Sequence, residues 1–310
     1  MSPSCLTAVR GFAWYRLGIR FNGPASFLRE EGKTPLSAID RRKRTRAAGL
    51  IAFAAVVIPS IGSGQEVSLK TLPGAEVGVN AAYYKYHEPD LAVTEKGYNA
   101  GIDLAYTAIR GNNWFVRGDA SFAYGHNDYT GSGTKDDNPY RYAEVRGTLG
   151  KDFEKDGYTL SPYAGIGFRY SRDDLRGLTS TGAGGYRRES QYLYIPLGMT
   201  HRIGLKASAR LSTTLEFDYF LQGRQKSYLS DVSPSLPDLT NDQNKGYGLR
   251  GSVYYEKGNW SIGPWFHYWH IDQSEVAAAT VVVSGTPVTT FFVEPKNTTT
   301  EFGIRFGYRF

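Results

Sequence analysis

Thr300-Glu301-Phe302-Gly303-Ile304-Arg305-Phe306-Gly307-Tyr308-Arg309-Phe310 carries a strict two-residue alternation. Phe302, Ile304, Phe306, Tyr308 and Phe310 fall on one face of an extended chain. Glu301, Gly303, Arg305, Gly307 and Arg309 fall on the other. Such a strand has one wholly apolar face and one charged, glycine-dotted face. At the edge of a soluble sheet it would be an unprotected template for pairing. A closed barrel in lipid has no edge, and it needs an apolar outer face.

Working outward from this stretch, about ten strand-like segments are predicted, at 75–87, 97–110, 114–128, 140–153, 158–173, 186–202, 207–224, 246–256, 259–272 and 299–310. Most exceed the five or six residues usual in soluble sheets and suffice for a tilted membrane strand. Short turns are expected at Gly111-Asn112-Asn113, at Glu154-Lys155-Asp156-Gly157, around Gly204 and at Lys257-Gly258. Long polar loops are expected at Pro89–Lys96, Thr130–Pro139, Asp174–Gly185, Gln225–Lys245 and Gln273–Asn297. The last of these contains a small apolar hairpin, Thr280–Thr289. The predicted fold class is all-β: a closed antiparallel transmembrane β-barrel of about ten strands, with short periplasmic turns and long extracellular loops. An even strand number places both ends of the barrel domain on the short-turn side. A soluble lipocalin-like barrel would alternate too, with its apolar face inward. Strand length and the aromatics at strand ends (Trp114, Tyr158, Tyr255 and Trp260) favour the membrane version.

The front of the chain reads as an export signal. Arg41-Arg42-Lys43-Arg44-Thr45-Arg46 precedes the apolar run Ala47–Ile58 and the small residues Ser60, Gly62, Ser63 and Gly64. That run is well short of the ~20 residues of a spanning helix. The division is therefore a leader over 1–64, with its signal-peptide core at 41–64, and a barrel domain over 65–310. Residues before Arg41 match neither part and imply a long leader or an early start. Of the chain's 36 Lys/Arg and 30 Asp/Glu, the leader holds ten and three, which leaves 26 and 27 in the barrel domain. The basic balance belongs to the leader, so it gives no support for a nucleic-acid partner. Cys5 also lies in the leader, and a cysteine-free remainder suits an oxidising periplasm.

With the apolar face outward, the lipid-facing residues include Ile102, Leu104, Val145, Ile166, Phe168, Leu197, Met199, Leu215 and Phe217. The opposite face collects Asp103, Arg117, Asp119, Glu144, Arg146, Arg169, Arg188, Glu216, Asp218, Arg250, His267, Glu301 and Arg305. Ionised groups in a narrow barrel must be paired or hydrated. The expectation is an interlocked lumen charge network with at most a thin water path. Ion selectivity in a small channel and a plugged polar core both remain open.

A terminal Phe behind alternating aromatics resembles the end of a Gram-negative outer-membrane barrel. The resemblance implies that Phe306, Tyr308 and Phe310 serve as the assembly signal read by the barrel-assembly machinery, with periplasmic chaperones as earlier partners. Outer-membrane lipid and lipopolysaccharide are the implied surroundings. The stretches Tyr84–Pro89, Pro162–Tyr170, Arg188–Gly198 and Gly246–Arg250 resemble small porin-like Gram-negative outer-membrane barrels to which no activity is attached.

Ten strands is also the number in omptins, which are outer-membrane proteases. At the rim this chain offers His126 with Asp128, His270 with Asp272, and Asp173-Asp174, which could activate water in a hydrolase. The order His-x-Asp differs from the omptin pattern, and both His-x-Asp pairs are expected to point outward. A lipid-modifying barrel enzyme lacks support, because Gly-x-Ser-x-Gly is absent and Ser121 and Ser190 have no evident histidine partner. Asp231, Asp238 and Asp242 could bind calcium or simply lie in a solvated loop. No metal or cofactor is expected. The sequence reading is a non-enzymatic outer-membrane protein, porin-like or acting through its surface, with the rim hydrolase as the alternative.

Overall fold

Ten antiparallel strands close into one barrel in the computed structural model, which describes residues 67–283 and 286–310. The leader reading over 1–64 and its signal core lie outside the described residues. In chain order the ring strands are β1 (Gly74–Glu88), β2 (Val93–Ile109), β3 (Trp114–Gly131), β4 (Gly133–Lys151) and β5 (Tyr158–Leu178). They continue with β6 (Gly184–Leu205), β7 (Ala209–Ser227), β8 (Gly246–Lys257), β9 (Trp260–Ile271) and β10 (Asn297–Arg309). Each pairs with its neighbours in sequence. The ring shuts where β10 pairs with β1, from Glu76↔Arg309 to His87↔Thr298.

Orientation follows the alternation. Phe306 and Leu215 are 42 % and 40 % exposed on the outer wall, whereas Glu301 is 1 % exposed inside. A ring of exposed Val, Leu, Ile and Phe circles the wall, and lipid is the one solvent that suits it. Aromatics border this ring at both ends. Trp114, Tyr255 and Trp260 stand at the turn end; Tyr98, Tyr124 and Tyr219 stand at the loop end. Tyr98 and Tyr106 on β2 lie about 27 Å apart along the strand, enough for a tilted crossing of the hydrocarbon.

The turn end is tight. Asn112 and Asn113 both adopt positive φ (58° and 63°) to reverse the chain between β2 and β3, a conformation asparagine tolerates better than most residues. The β8–β9 turn uses Gly258 at φ 57°. The short strand Phe153–Lys155 folds back on β5 between β4 and β5.

The loop end corrects part of the sequence reading. Thr130–Pro139 is strand except at Ser132, and strand also covers much of Asp174–Gly185 and Pro89–Lys96. Above the lipid both faces of a strand are polar, so the alternation that signals a strand fades while backbone pairing continues. Two long connections remain. The β7–β8 connection holds a 3-10 turn, Leu229–Asp231, and a short strand, Leu239–Gln243, paired on β7. The β9–β10 connection holds a hairpin, Ala277–Val283 with Thr286–Phe292, which spans the predicted hairpin at 280–289.

Candidate functional site: the lumen and its two ends

Of the thirteen lumen residues singled out by alternation, twelve, Asp103, Arg117, Asp119, Glu144, Arg146, Arg169, Glu216, Asp218, Arg250, His267, Glu301 and Arg305, sit on strands whose inward face is fixed by the apolar outer one; Arg188 lies nearer the loop end. The structure gathers them into connected layers. Nearest the turn end, Arg305 lies 2.7 Å from Glu76 and 3.2 Å from Asp103, Arg309 reaches Glu76 at 3.0 Å, and Arg117 pairs with Asp119 at 2.8 Å. At mid-barrel Arg146 contacts Glu216 at 2.6 Å, and Arg250 reaches Asp218 at 2.7 Å, Glu216 at 3.2 Å and Glu144 at 2.5 Å. Arg169 bridges Glu301 at 2.9 Å and Glu144 at 3.2 Å, with its guanidinium 3.8 Å from the centre of the Tyr142 ring. His267 stands 3.6 Å from both Asp218 and Glu301. Four carboxylates here face three guanidiniums, with the His267 ring beside two of the carboxylates, and this pairing lowers the cost of burying the layer.

Tyrosines complete the packing. Tyr163 donates to Glu216 at 2.7 Å, and Tyr194 donates to Glu144. Their rings lie over inward-facing glycines. A Cβ on Gly198 would sit 2.3 Å from Tyr163 Cζ, and one on Gly167 would sit 2.2 Å from Tyr194 Cζ. The glycines on the charged face are thus the floor on which the tyrosines rest.

Toward the turn end the lumen widens into a cavity of about 310 Å³, reaching from Arg169 and His267 down to Thr71, Leu72 and Arg309. The segment 67–73 crosses this mouth. Thr71 donates to Asp152 through its backbone N–H (2.7 Å) and hydroxyl (2.8 Å), and Ser161 adds a third hydrogen bond to Asp152 at 2.6 Å. Arg210 donates to the carbonyls of Ser68 (2.8 Å) and Lys70 (2.9 Å) while paired with Glu256 at 2.6 Å.

Toward the loop end the path narrows. Tyr84 and Tyr140 pack in a tilted pair with ring centres 4.3 Å apart, and beyond Arg169 the space shrinks to about 30 Å³. Arg188 then reaches Glu88 and Glu294, each at 2.9 Å, with Tyr86 at 3.2 Å. Above it an apolar cap fills the lumen. Val93, Tyr129, Leu175, Ala183 and Tyr186 come from ring strands, Leu229 and Leu239 from the β7–β8 connection, and Val281 and Phe292 from the hairpin.

An ion pair clamps the β7–β8 connection: Arg187 Nε lies 2.7 Å from Asp231, whose oxygens also accept from the Arg187 backbone and Nη2. Burial raises the Asp231 pKa, but the hydrogen bonds from Arg187 outweigh it and hold the carboxyl below its usual range. A depressed carboxylate stabilises docking above its unfolded pKa, ordinarily about 3.9, and loses that contribution only as pH falls through the lowered value. Protection of 228–245 from pepsin is therefore expected to persist to about pH 4 and fail below it, and Asp231→Asn should remove this pH dependence.

The rim groups are placed differently from a cleft. His126 and Asp128 on β3, and His270 on β9 with Asp272 beside it, lie on the outer wall. His270 is 3.1 Å from Asp272, and His126 is 3.9 Å from Asp137. The two sites are four strands apart around the ring, about 19 Å. Asp173 turns inward toward Arg188 at 3.7 Å, whereas Asp174 turns outward and pairs with Arg176 at 2.8 Å. Asp137 is thus a second acid beside His126 on the exposed wall, while the His270–Asp272 pair stands apart from both. Asp231, Asp238 and Asp242 are engaged with Arg187, Ser230 and Arg224 respectively, and among the described residues no cluster of three or more His, Cys, Asp or Glu could hold a metal ion.

Phe306 and Phe310 face outward, and Tyr308 packs on Trp260 with ring centres 4.4 Å apart. Alternation missed Glu294, which lies in a connection without any period. Glu76, Glu88 and Glu95 could have been found by extending the inward period of β1 and β2.

No protein-family profile and no curated protein matches the chain. Among solved structures it is similar to the outer membrane protease OmpT from Escherichia coli, with TM-score 0.48 and 9 % identity over 78 % of this chain and 100 % of that one. It is also similar to Neisserial surface protein A, with TM-score 0.34 and 16 % identity over 76 % and 97 %. A third is the toluene transporter TodX of Pseudomonas putida, with TM-score 0.32 and 9 % identity over 77 % and 90 %. At these values the likeness carries no functional weight. The barrel assignment stands on the strand pairing above.

Proposed function

We propose that this chain is a non-enzymatic, integral outer-membrane β-barrel whose lumen is closed and whose working surface is the structured loop end. One observation carries this reading: the lumen is obstructed twice, by the ion-paired layer around Arg169 and by the apolar cap above Arg188. A conducting pore of this strand number needs a continuous hydrated path, and here two side-chain layers occupy it. Export, the outer-membrane location, recognition of the last strand by the barrel-assembly machinery, and contact with chaperones on the way belong to the same proposal.

Refolded protein that shows the heat-shifted gel mobility of a closed barrel is expected to give no discrete conductance steps in planar bilayers. Steps in the wild type that change with Arg169→Ala or Glu216→Ala would establish a channel instead. An adhesive role of the loop end predicts cell-surface binding that deletion of loop 225–245 removes while the heat-shifted mobility stays intact.

A further inference from the structure

From Val276 to Val293 the β9–β10 connection holds no charged residue, although it lies at the loop end, above the apolar wall. Its hairpin uses one face to join the cap: Val281 and Phe292 are buried there, and Ala279 packs against them. The other face, Ala278, Thr280 and Val282 in register with Phe291, Thr289 and Pro287, is exposed. Val282 and Phe291 are 54 % and 50 % exposed. Water is a poor solvent for such a face, and the two strands carry nothing to recruit an acidic or basic partner.

The two edges of the hairpin differ. Beside Ala277–Val283 lies the short strand Leu239–Gln243, whose Asn241 donates to the carbonyls of Glu275 (3.3 Å) and Phe292 (3.2 Å). Among the described residues Thr286–Phe292 pairs only with Ala277–Val283, so its far edge is open. Pro287 has no N–H to give a ladder, so its nitrogen belongs on that open side. Backbone groups alternate between the two sides of an antiparallel strand, which puts those of Thr289 and Phe291 on the open side too. Open edges are ordinarily blunted by a lysine or another charge. Here the guard is Pro287 alone, near the hairpin tip.

We infer that this open edge pairs with the same edge of a second copy of the chain, antiparallel, with the twofold axis at Thr289. In that register Thr289 exchanges N–H and carbonyl with its own copy, and the Phe291 N–H of each chain donates to the Pro287 carbonyl of the other. The donor that Pro287 lacks leaves the Phe291 carbonyl to water at the exposed rim. Thr289 then faces Thr289, a favourable cross-strand pair, and each Phe291 ring covers a proline ring. The uncharged composition suits self-pairing, because a charge at Thr289 would meet its like across the axis. One open edge per molecule makes the product a closed dimer and not a fibre. This rests on reading the loop end as the working surface, and it is independent of whether the lumen conducts.

The test begins with refolded protein in detergent micelles, which should sediment as a monomer–dimer equilibrium. In a Cys5→Ser background, which removes the chain's only cysteine, Thr289→Cys should cross-link to its own copy on mild oxidation with copper phenanthroline in air. Phe291→Cys mixed with Pro287→Cys should cross-link as well. Thr280→Cys, also exposed, would stand about 14 Å from its copy, three strand spacings away, and should not. Thr289→Lys should weaken dimerisation about fivefold, the upper end of what facing like charges cost, with the heat-shifted mobility unchanged. Mixing it with Thr289→Glu should restore dimers, a rescue that a merely structural role of Thr289 does not produce. A wild type that stays monomeric at every protein concentration, equal cross-linking at 289 and 280, or dimers indifferent to Thr289→Lys would each overturn the proposal. The two readings fail separately. Conductance steps would remove the closed lumen and leave the pairing, whereas a monomer whose cell-surface binding is lost with loop 225–245 would remove the pairing alone.

Discussion

Arg169→Ala should destabilise the barrel by about 3–5 kcal/mol, the largest effect expected of any single lumen substitution. Arg169 is 3 % exposed and, among the described residues, the sole guanidinium contacting Glu301. Removing it leaves Glu301 with only His267 nearby and strips one of two arginines from Glu144. The cost comes from carboxylates stranded in a low dielectric, not from the attraction lost. Combining Arg169→Met with Glu301→Gln should therefore be milder than Arg169→Ala alone. Urea unfolding in lipid vesicles, followed by tryptophan fluorescence and gel mobility, measures both. If Arg169→Ala proved as stable as wild type, water would have to reach this layer freely, and the closed lumen would have to be given up.

The second large effect is expected on the opposite face of the last strand. Ile304 is 59 % exposed and lies halfway between Tyr308, level with Trp260, and Thr300, level with Tyr268. Ile304→Arg places a cation near the middle of the hydrocarbon and should cost about 2–4 kcal/mol in vesicles. In detergent, where a guanidinium can find water more easily, the penalty should shrink. The same change at Thr300, near the rim, should cost about 0–1 kcal/mol. A soluble barrel with its apolar face inward would instead fail outright with Ile304→Arg in any solvent.

The membrane-spanning part was legible because lipid outside and charge inside impose opposite demands on alternate residues. From Phe302 to Phe306, or from Val145 to Leu149, the chain declares its two faces one residue at a time. The same logic located Arg146, Arg250 and Glu216 on the inner wall. It could not say that Arg250 bridges three carboxylates, since those come from β4 and β7, and alternation fixes faces but not how neighbouring side chains meet. Beyond the aromatic border the demand disappears. Gly131-Ser132-Gly133 reads as the middle of a loop, yet it is the tip of a long hairpin continuing β3 and β4. The cap was invisible for a different reason. Leu229 and Leu239 stand in polar stretches and Phe292 lies beyond the predicted hairpin in Phe291-Phe292-Val293, and only the folding of two connections over the mouth brings them together. The hairpin at Thr280–Thr289 was the exception, because Val281, Val282 and Val283 form an apolar run in the sequence just before Ser284-Gly285.

The seam between β1 and β10 joins residues at opposite ends of the barrel sequence. Arg305 reaches back to Glu76 at 2.7 Å and Arg309 does so at 3.0 Å. Among the strand pairs of the described barrel this one spans the longest stretch of chain, so closing it carries the largest loop-closure penalty and is expected to come late in assembly. Until β10 arrives, nine strands form a curled ribbon with two raw margins, and any enzyme or chaperone that shields those margins controls whether the hoop is completed or the ribbons stick to one another. The fate of each newly made copy is thus expected to turn on its final strand, and a lesion there should surface as aggregated chain before it shows as a weakened finished barrel.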